Sequence, residues 1–294
     1  MNLFALLLGL GIERLLTHLF HLREFRWLDP AFDRVLGQLR GKSRQAVLAS
    51  LIGLAIVLTA PVALLSWLLD DALFFLPAFI LAVFVLLFSL GPRDLKEEVD
   101  EYSVAADAGN SEEARRVAKE LLEADVPEDQ GLQAGLVERA IFVQANNRIF
   151  GVVFWFLIFG PTGAWLFRVL DLMRRRAAYH YADDATLIGC VRTVHGICAW
   201  IPARLLAVGY ALAGSFEESV ADWRGYYANC APRIFDVNND ILSRAGLGAA
   251  GRAESSVEVT PSAGARAAMD LVLRTLWIIW CPVIAVLTLL NIVS

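Results

Sequence analysis

Between Ala46 and Leu69 the chain runs for about 24 residues without a charged side chain. An α-helix needs ~20 residues to cross the hydrocarbon core of a bilayer. Lipid offers no partner for backbone polar groups, so such a run has to be helical there, and Pro61 within it is tolerated. After Asp70-Asp71 a second uncharged run, Leu73 to Leu90, completes a helical hairpin. Leu271 to Val293 forms a further span, with Arg274 close enough to one end to snorkel. The start, "MNLFALLLGLGIERLLTHLF", has neither a basic leader region nor a small-residue cleavage pattern, and reads as a retained membrane helix. Composition agrees, since 57% of the 294 residues are hydrophobic against roughly 45–50% in soluble domains. The net charge of −5 excludes a nucleic-acid partner as an expectation. Cys190, Cys198, Cys230 and Cys281 form no CxxC pair or zinc spacing, so no disulfide framework or metal site is expected.

Basic residues set the topology. Seven Lys/Arg lie from Arg14 to Arg44 and seven more from Arg93 to Arg148, while Asp70-Asp71 carries none. Both basic stretches are therefore expected on the cytoplasmic side. Phe150–Leu170, "FGVVFWFLIFGPTGAWLFRVL", then poses a conflict, because a single crossing puts Arg174, Arg175, Arg176 and Arg192 outside. A hairpin turning at Gly160-Pro161 keeps them inside, with arms of about ten residues, or ~15 Å each. "ICAWIPARLLAVGYALAG" repeats the design with Pro202 and Arg204, and reads as a second re-entrant or half-spanning element. The alternative is a pair of ordinary spans. The expected fold is all-α and polytopic: about four transmembrane helices, two Pro-broken re-entrant or half-spanning elements, and cytoplasmic helices. It divides as 1–90 (membrane helix, basic loop, hairpin), 91–149 (cytoplasmic helices), 150–215 (broken elements), 216–270 (cytoplasmic segment and linker) and 271–294 (last span). In 91–149, "SEEARRVAKELL" reads as a helix capped by Ser111, and "LKEEVDEY" as a solvated face. Gly246 to Gly264 reads as a flexible linker.

Ionisable side chains at membrane depth are functional candidates by default. Glu13, Arg14, Arg168 and Arg204 qualify, with Arg93, Asn146, Asn147 and Asp171 close by in sequence. Arginines facing one pocket suit an anionic ligand, because a guanidinium grips phosphate or carboxylate through two parallel hydrogen bonds. Equally, Glu13 paired with one of the arginines is plain structural glue. His18 and His21 share a helix face but lack a convincing third metal ligand. Arg174-Arg175-Arg176 reads as a headgroup anchor, and Trp155, Trp165, Trp200, Trp277 and Trp280 as membrane packing or interfacial belt.

"GPRDLKEEVDEYSVAADAGNSEEARRVAKELL", then "VERAIFVQANNRIFGVVFWFLIFGPTGAWLFRVLDLM" and "WIPARLLAV", resemble the AmpE family within the CobD/CbiB–AmpE superfamily of membrane proteins. The resemblance covers roughly residues 1–230 and the last helix. It implies one of two activities. The cobalamin-pathway branch joins cobyric acid to an aminopropanol unit in an ATP-dependent amide synthesis. Asn146, Arg168, Asp171 and Arg204 match that branch's signature, but Gln144-Ala145-Asn146 lacks its glutamate. The asparagine expected near Val169–Leu170 and the paired acids expected before Trp200, around Thr193–His195, are also absent. Ligation with ATP needs acids to hold Mg²⁺ on the phosphates. The departures favour the AmpE branch, which the resemblance links to β-lactamase induction and cell-wall recycling. The expectation is thus a multi-pass protein of the bacterial inner membrane with its main loops cytoplasmic. It would bind an anionic small molecule in a buried arginine-lined pocket, with the lipid bilayer as partner and homo-oligomerisation left open. A repurposed amide-forming enzyme, the one reading that calls for ATP and Mg²⁺ as cofactors, and a transporter are the alternatives.

Overall fold

Gly160 decides the architecture of the middle of the chain. In the computed structural model, which describes residues 27–70, 75–90, 94–220, 237–251 and 260–293, its backbone sits at φ 61°, ψ −149°, inside an otherwise helical Gly151–His180. A side chain rarely adopts that conformation and glycine does so freely. Eight residues of continuous helix advance ~12 Å, yet a Cβ placed on Gly163 would collide with the Trp155 carbonyl oxygen and come within 2.9 Å of the Phe159 Cβ. The chain therefore doubles back at Gly160-Pro161. The absent side chain at Gly163 is what lets the two arms close.

The described helices fall into two units, Met1–Pro92 with Gly151–Ala199, and Arg93–Phe150 with Trp200–Ser294. In the first unit, α1 (Asp29–Leu39) carries Pro30 in its first turn and buries Phe32, Leu36 and Leu39, a helical stripe. It packs on α2 (Arg44–Asp70), and α2 packs on α3 (Phe75–Ser89). α2 buries Val47, Leu51, Leu54 and Ala55 while Ile52, Ile56, Val57, Leu64, Leu65 and Leu68 stay exposed. A helix that is apolar all round with one face uncovered is a lipid-facing span. The hairpin of α7 (Gly151–His180) packs against α2 and α3 and contributes Trp165, Val169, Leu170 and Met173 to this unit's core.

α8 (Ala185–Ala213) departs from expectation: it runs through Pro202 as one helix of 29 residues, ~44 Å long. Proline has no N–H, so the carbonyl four residues earlier, that of Cys198, loses its helical donor. Trp155 Nε1 donates to that carbonyl at 3.0 Å. Trp165 Nε1 donates at 3.0 Å to the Leu58 carbonyl, within one turn before Pro61 of α2. These two tryptophans, read as belt residues, are hydrogen-bond donors to Pro-containing helices, one on each arm of the hairpin, and Trp155 replaces the donor that Pro202 lacks. Among the described residues the runs Arg44–Leu69, Gln130–His180 and Ala185–Ala213 are long and apolar enough to cross a membrane, with Leu76–Ser89 shorter. The fold is all-α and polytopic, and the chain is a membrane protein. The expected first helix lies outside the described residues.

The second unit gathers α4 (Leu95–Asp107), α5 (Ser111–Leu122), α6 (Gln130–Ala145), α9 (Asn238–Ala249) and α10 (Pro261–Val293). Its core runs from Leu95 and Val99 through Ile141 and Phe142 to Ala207, Tyr210, Ile241 and Val272. Asn110, not Ser111, caps α5, its Oδ1 accepting from the Glu113 N–H at 3.2 Å. The expected linker is helical at both of its described ends, where Gly246–Ala249 close α9 and Pro261–Gly264 open α10, while residues 252–259 lie outside the described residues. Its small residues serve contact, since a Cβ on Gly246 would overlap the ring of Phe142.

Candidate functional site

Arg168 lies about two turns beyond the break in α7 and is fully buried. Its Nη1 donates to Asp171 Oδ2 at 3.1 Å. Arg174 donates to Asp171 Oδ1 through Nη2 at 2.6 Å and Nε at 3.2 Å. Steps of three residues put all three side chains on one helix face. From α8, His195 Nε2 stands 3.9 Å from Asp171 Oδ1, and its ring lies 5.4 Å from that of Phe167. Both oxygens of a buried carboxylate are thus engaged by guanidiniums, with an imidazole beside them. Such a group is costly within a bilayer and marks a site unless it is purely architectural. Asp171 thus fixes two guanidiniums, Arg174 through two nitrogens and Arg168 through one.

Arg176 leaves the cluster. It donates to Asp33 at 2.9 and 2.6 Å and to Asp29 at 3.2 Å, tying the end of α7 to α1. That hydrogen bond holds the Asp33 carboxyl below its ordinary value. Arg174 and Arg176 of the basic triplet, expected as a headgroup anchor, thus each face a carboxylate of the same chain.

In the second unit, α6 passes into a π-helical turn at Asn146–Phe150. The Asn146 N–H turns to the Val143 carbonyl, and the Phe142 carbonyl accepts instead from Tyr210 Oη at 2.9 Å. Asn146 and Asn147 are both buried, and Asn146 Nδ2 donates to Asn147 Oδ1 at 3.3 Å. Arg148 next to them donates to Glu98 Oε2 at 2.7 Å and to Gln144 Oε1 at 3.1 Å. Glu98, read as part of a solvated face, is therefore a buried partner. Arg204 donates through Nη1 to Asn238 Oδ1 at 2.8 Å and the Trp200 carbonyl at 3.0 Å, with its guanidinium 4.2 Å over the Trp200 ring.

The structure thus joins Arg168 to Asp171 and Asn146 to Asn147, and gives Arg204 the partner Asn238. Glu13, Arg14 and Arg93 lie outside the described residues, as do His18 and His21. Sequence reasoning passed over His195, Arg174, Arg148 and Glu98. The periodicity of Leu95, Val99 and Tyr102 signals the inward face that carries Glu98, but nothing local marks His195.

The family model described as "Regulatory signalling modulator protein AmpE" matches residues 1–292. The chain belongs to the AmpE family. Protein AmpE of Shigella flexneri is 25% identical over 76% of this chain and 78% of its own. Two proteins named cobalamin biosynthesis protein CobD are similar too. That of Stutzerimonas stutzeri is 29% identical over 65% of this chain. That of Chromobacterium violaceum is 26% identical over 66% of it. In both cases 61% of the relative's length is spanned. No solved structure matches.

Proposed function

We propose that this AmpE-family chain is a signalling modulator of the bacterial inner membrane that binds an anionic small molecule, with its main loops cytoplasmic. The guanidiniums of Arg168 and Arg174, oriented by Asp171 and flanked by His195, form the binding group. The output is modulation of β-lactamase induction and cell-wall recycling. The observation that carries the reading is the full burial of Arg168 beside Asp171 on a helix broken at Gly160. A strain lacking the gene, complemented with the wild-type chain or with Arg168→Ala, tests it. The variant, present in the membrane at wild-type level, is expected to restore neither β-lactamase induction nor the normal pool of soluble cell-wall fragments. Full restoration by the variant overturns the reading.

The likeness to the CobD proteins favours one second reading, an ATP-dependent amide-forming membrane enzyme with altered substrates. Purified protein supplied with ATP, Mg²⁺ and candidate acids and amines then releases ADP or AMP, and Arg168→Ala stops it. Nucleotide turnover absent from the whole panel counts against this reading and leaves the first untouched.

A further inference from the structure

Two polar atoms in the second unit are costly as they stand. Asn146 Oδ1 and Asn147 Nδ2 are buried and have no hydrogen-bond partner within the chain, and each residue is 1% exposed. A buried polar group left unpaired costs about 1–3 kcal/mol, and folded proteins keep few of them. The two side chains spend their other ends on each other, through one hydrogen bond of 3.3 Å, longer than the usual 2.7–3.2 Å or so. The pair sits on the π-helical turn Asn146–Phe150, a distortion that proteins retain mostly where it positions side chains for use. Tyr210 holds the turn by taking up the Phe142 carbonyl. The turn is therefore braced while the amides it presents are half used.

What remains on offer has a definite chemistry. The pair presents one unpaired amide nitrogen, a donor, and one unpaired carbonyl oxygen, an acceptor, and exchanging the oxygen and nitrogen ends of both amides leaves the same offer. A carboxylate or phosphate brings acceptors only and meets the asparagine oxygen unfavourably. An ammonium brings donors only and meets the N–H unfavourably. A primary carboxamide brings one of each, side by side. We propose that Asn146 and Asn147 recognise a carboxamide group of a ligand, which exchanges the long internal bond for its own pair. This goes beyond the anion reading and does not depend on it, because it rests on a neutral group and other residues.

Purified full-length protein in lipid nanodiscs is titrated with N-acetyl-L-alaninamide, with N-acetyl-L-alanine as the carboxylate control, and binding is read by saturation-transfer NMR. The carboxamide is expected to bind at least about tenfold more tightly than the carboxylate, the weight of one hydrogen bond. Asn146→Asp and Asn147→Asp each keep the shape and remove one amide nitrogen, and the one that removes the unpaired donor is expected to lose that preference. The double variant Asn146→Leu, Asn147→Leu is expected to lose binding while melting no lower than wild type, because it deletes unpaired polar atoms from a buried place. Equal binding of both probes, no binding of either, or unchanged preference in both Asn146→Asp and Asn147→Asp overturns the proposal. A double variant that melts well below wild type assigns the pair to structure and overturns it too. Arg168→Ala leaves the carboxamide preference intact, so the two readings fail separately.

Discussion

Arg148 and Glu98 meet at 2.7 Å with side chains 3% and 5% exposed, fifty residues apart in sequence. A buried ion pair of this kind adds little net stability over apolar residues, yet removing one partner strands the other charge. Arg148→Ala should therefore lower the stability of the second unit by about 3–5 kcal/mol. Arg148→Met with Glu98→Leu should recover most of that loss. Denaturant unfolding of the three proteins in mild detergent measures both, and a double variant as weak as the single one contradicts the argument. The same pair shows what the sequence holds. Leu95, Val99 and Tyr102 fall on one helical stripe, and Glu98 lies on it three residues after Leu95. The burial of Glu98 was therefore legible, and only the acidic look of "LKEEVDEY" hid it. Its partner was not legible, because no local pattern pairs two side chains from different helices. Arg168 and Asp171 were legible as a pair, three residues apart in a segment too apolar to leave charges unmatched. His195 reaches them from α8, so only packing could reveal it.

At the scale of helices, two glycines that look alike behave in opposite ways. Gly163 faces the Trp155 backbone across the hairpin, whereas a Cβ on Gly135 in α6 meets nothing within 4 Å. Gly135→Ala should stabilise by roughly 0.5–1 kcal/mol, the entropy that glycine gives up in a helix. Gly163→Ala should destabilise by at least about 1–3 kcal/mol, the cost of overpacking a contact that has no room. Thermal unfolding in one detergent gives both signs, and a stabilised Gly163→Ala would mean the arms do not close there. The hairpin itself was readable from Gly160-Pro161 and the arginines beyond it. The uninterrupted α8 was not, because whether Pro202 breaks a helix depends on what satisfies the Cys198 carbonyl, and that donor sits on another helix. The point can be measured as a coupling. Trp155→Phe should cost about 1–3 kcal/mol by orphaning that carbonyl. In a Pro202→Ala background the restored N–H takes over, and the same change should cost clearly less. Equal costs in both backgrounds would show that the indole acts by packing alone.

Across the whole molecule, each unit carries an acid-sensitive tie whose carboxyl lies outside its membrane segments. In the second unit, hydrogen bonds from the Ser262 hydroxyl and then from Arg266 hold the Asp107 carboxyl below its ordinary 3.8, joining the end of α4 to the first turns of α10 at 2.7 Å. In the first unit Arg176 lowers Asp33 in the same sense and joins α7 to α1. A carboxyl whose folded pKa is depressed binds its proton less readily folded than unfolded. The stability it gives is complete above the unfolded value and fades as pH falls through the lower folded one. Both ties should therefore hold at pH 7 and weaken only below about pH 4. Both are half-exposed on the acid side, 49% for Asp107 and 42% for Asp33, so the effects are modest and salt screens them. Hydrogen exchange of the full chain in nanodiscs, followed from pH 7 to pH 3 with rates corrected for intrinsic chemistry, separates them by place. Asp107→Asn should remove the acid-induced loosening at the start of α10 and leave that of α1 unchanged. Asp33→Asn should do the reverse, because sites without shared partners add independently. Loosening of α10 that persists in Asp107→Asn would assign the acid response to another carboxylate and leave the α4–α10 tie as packing alone.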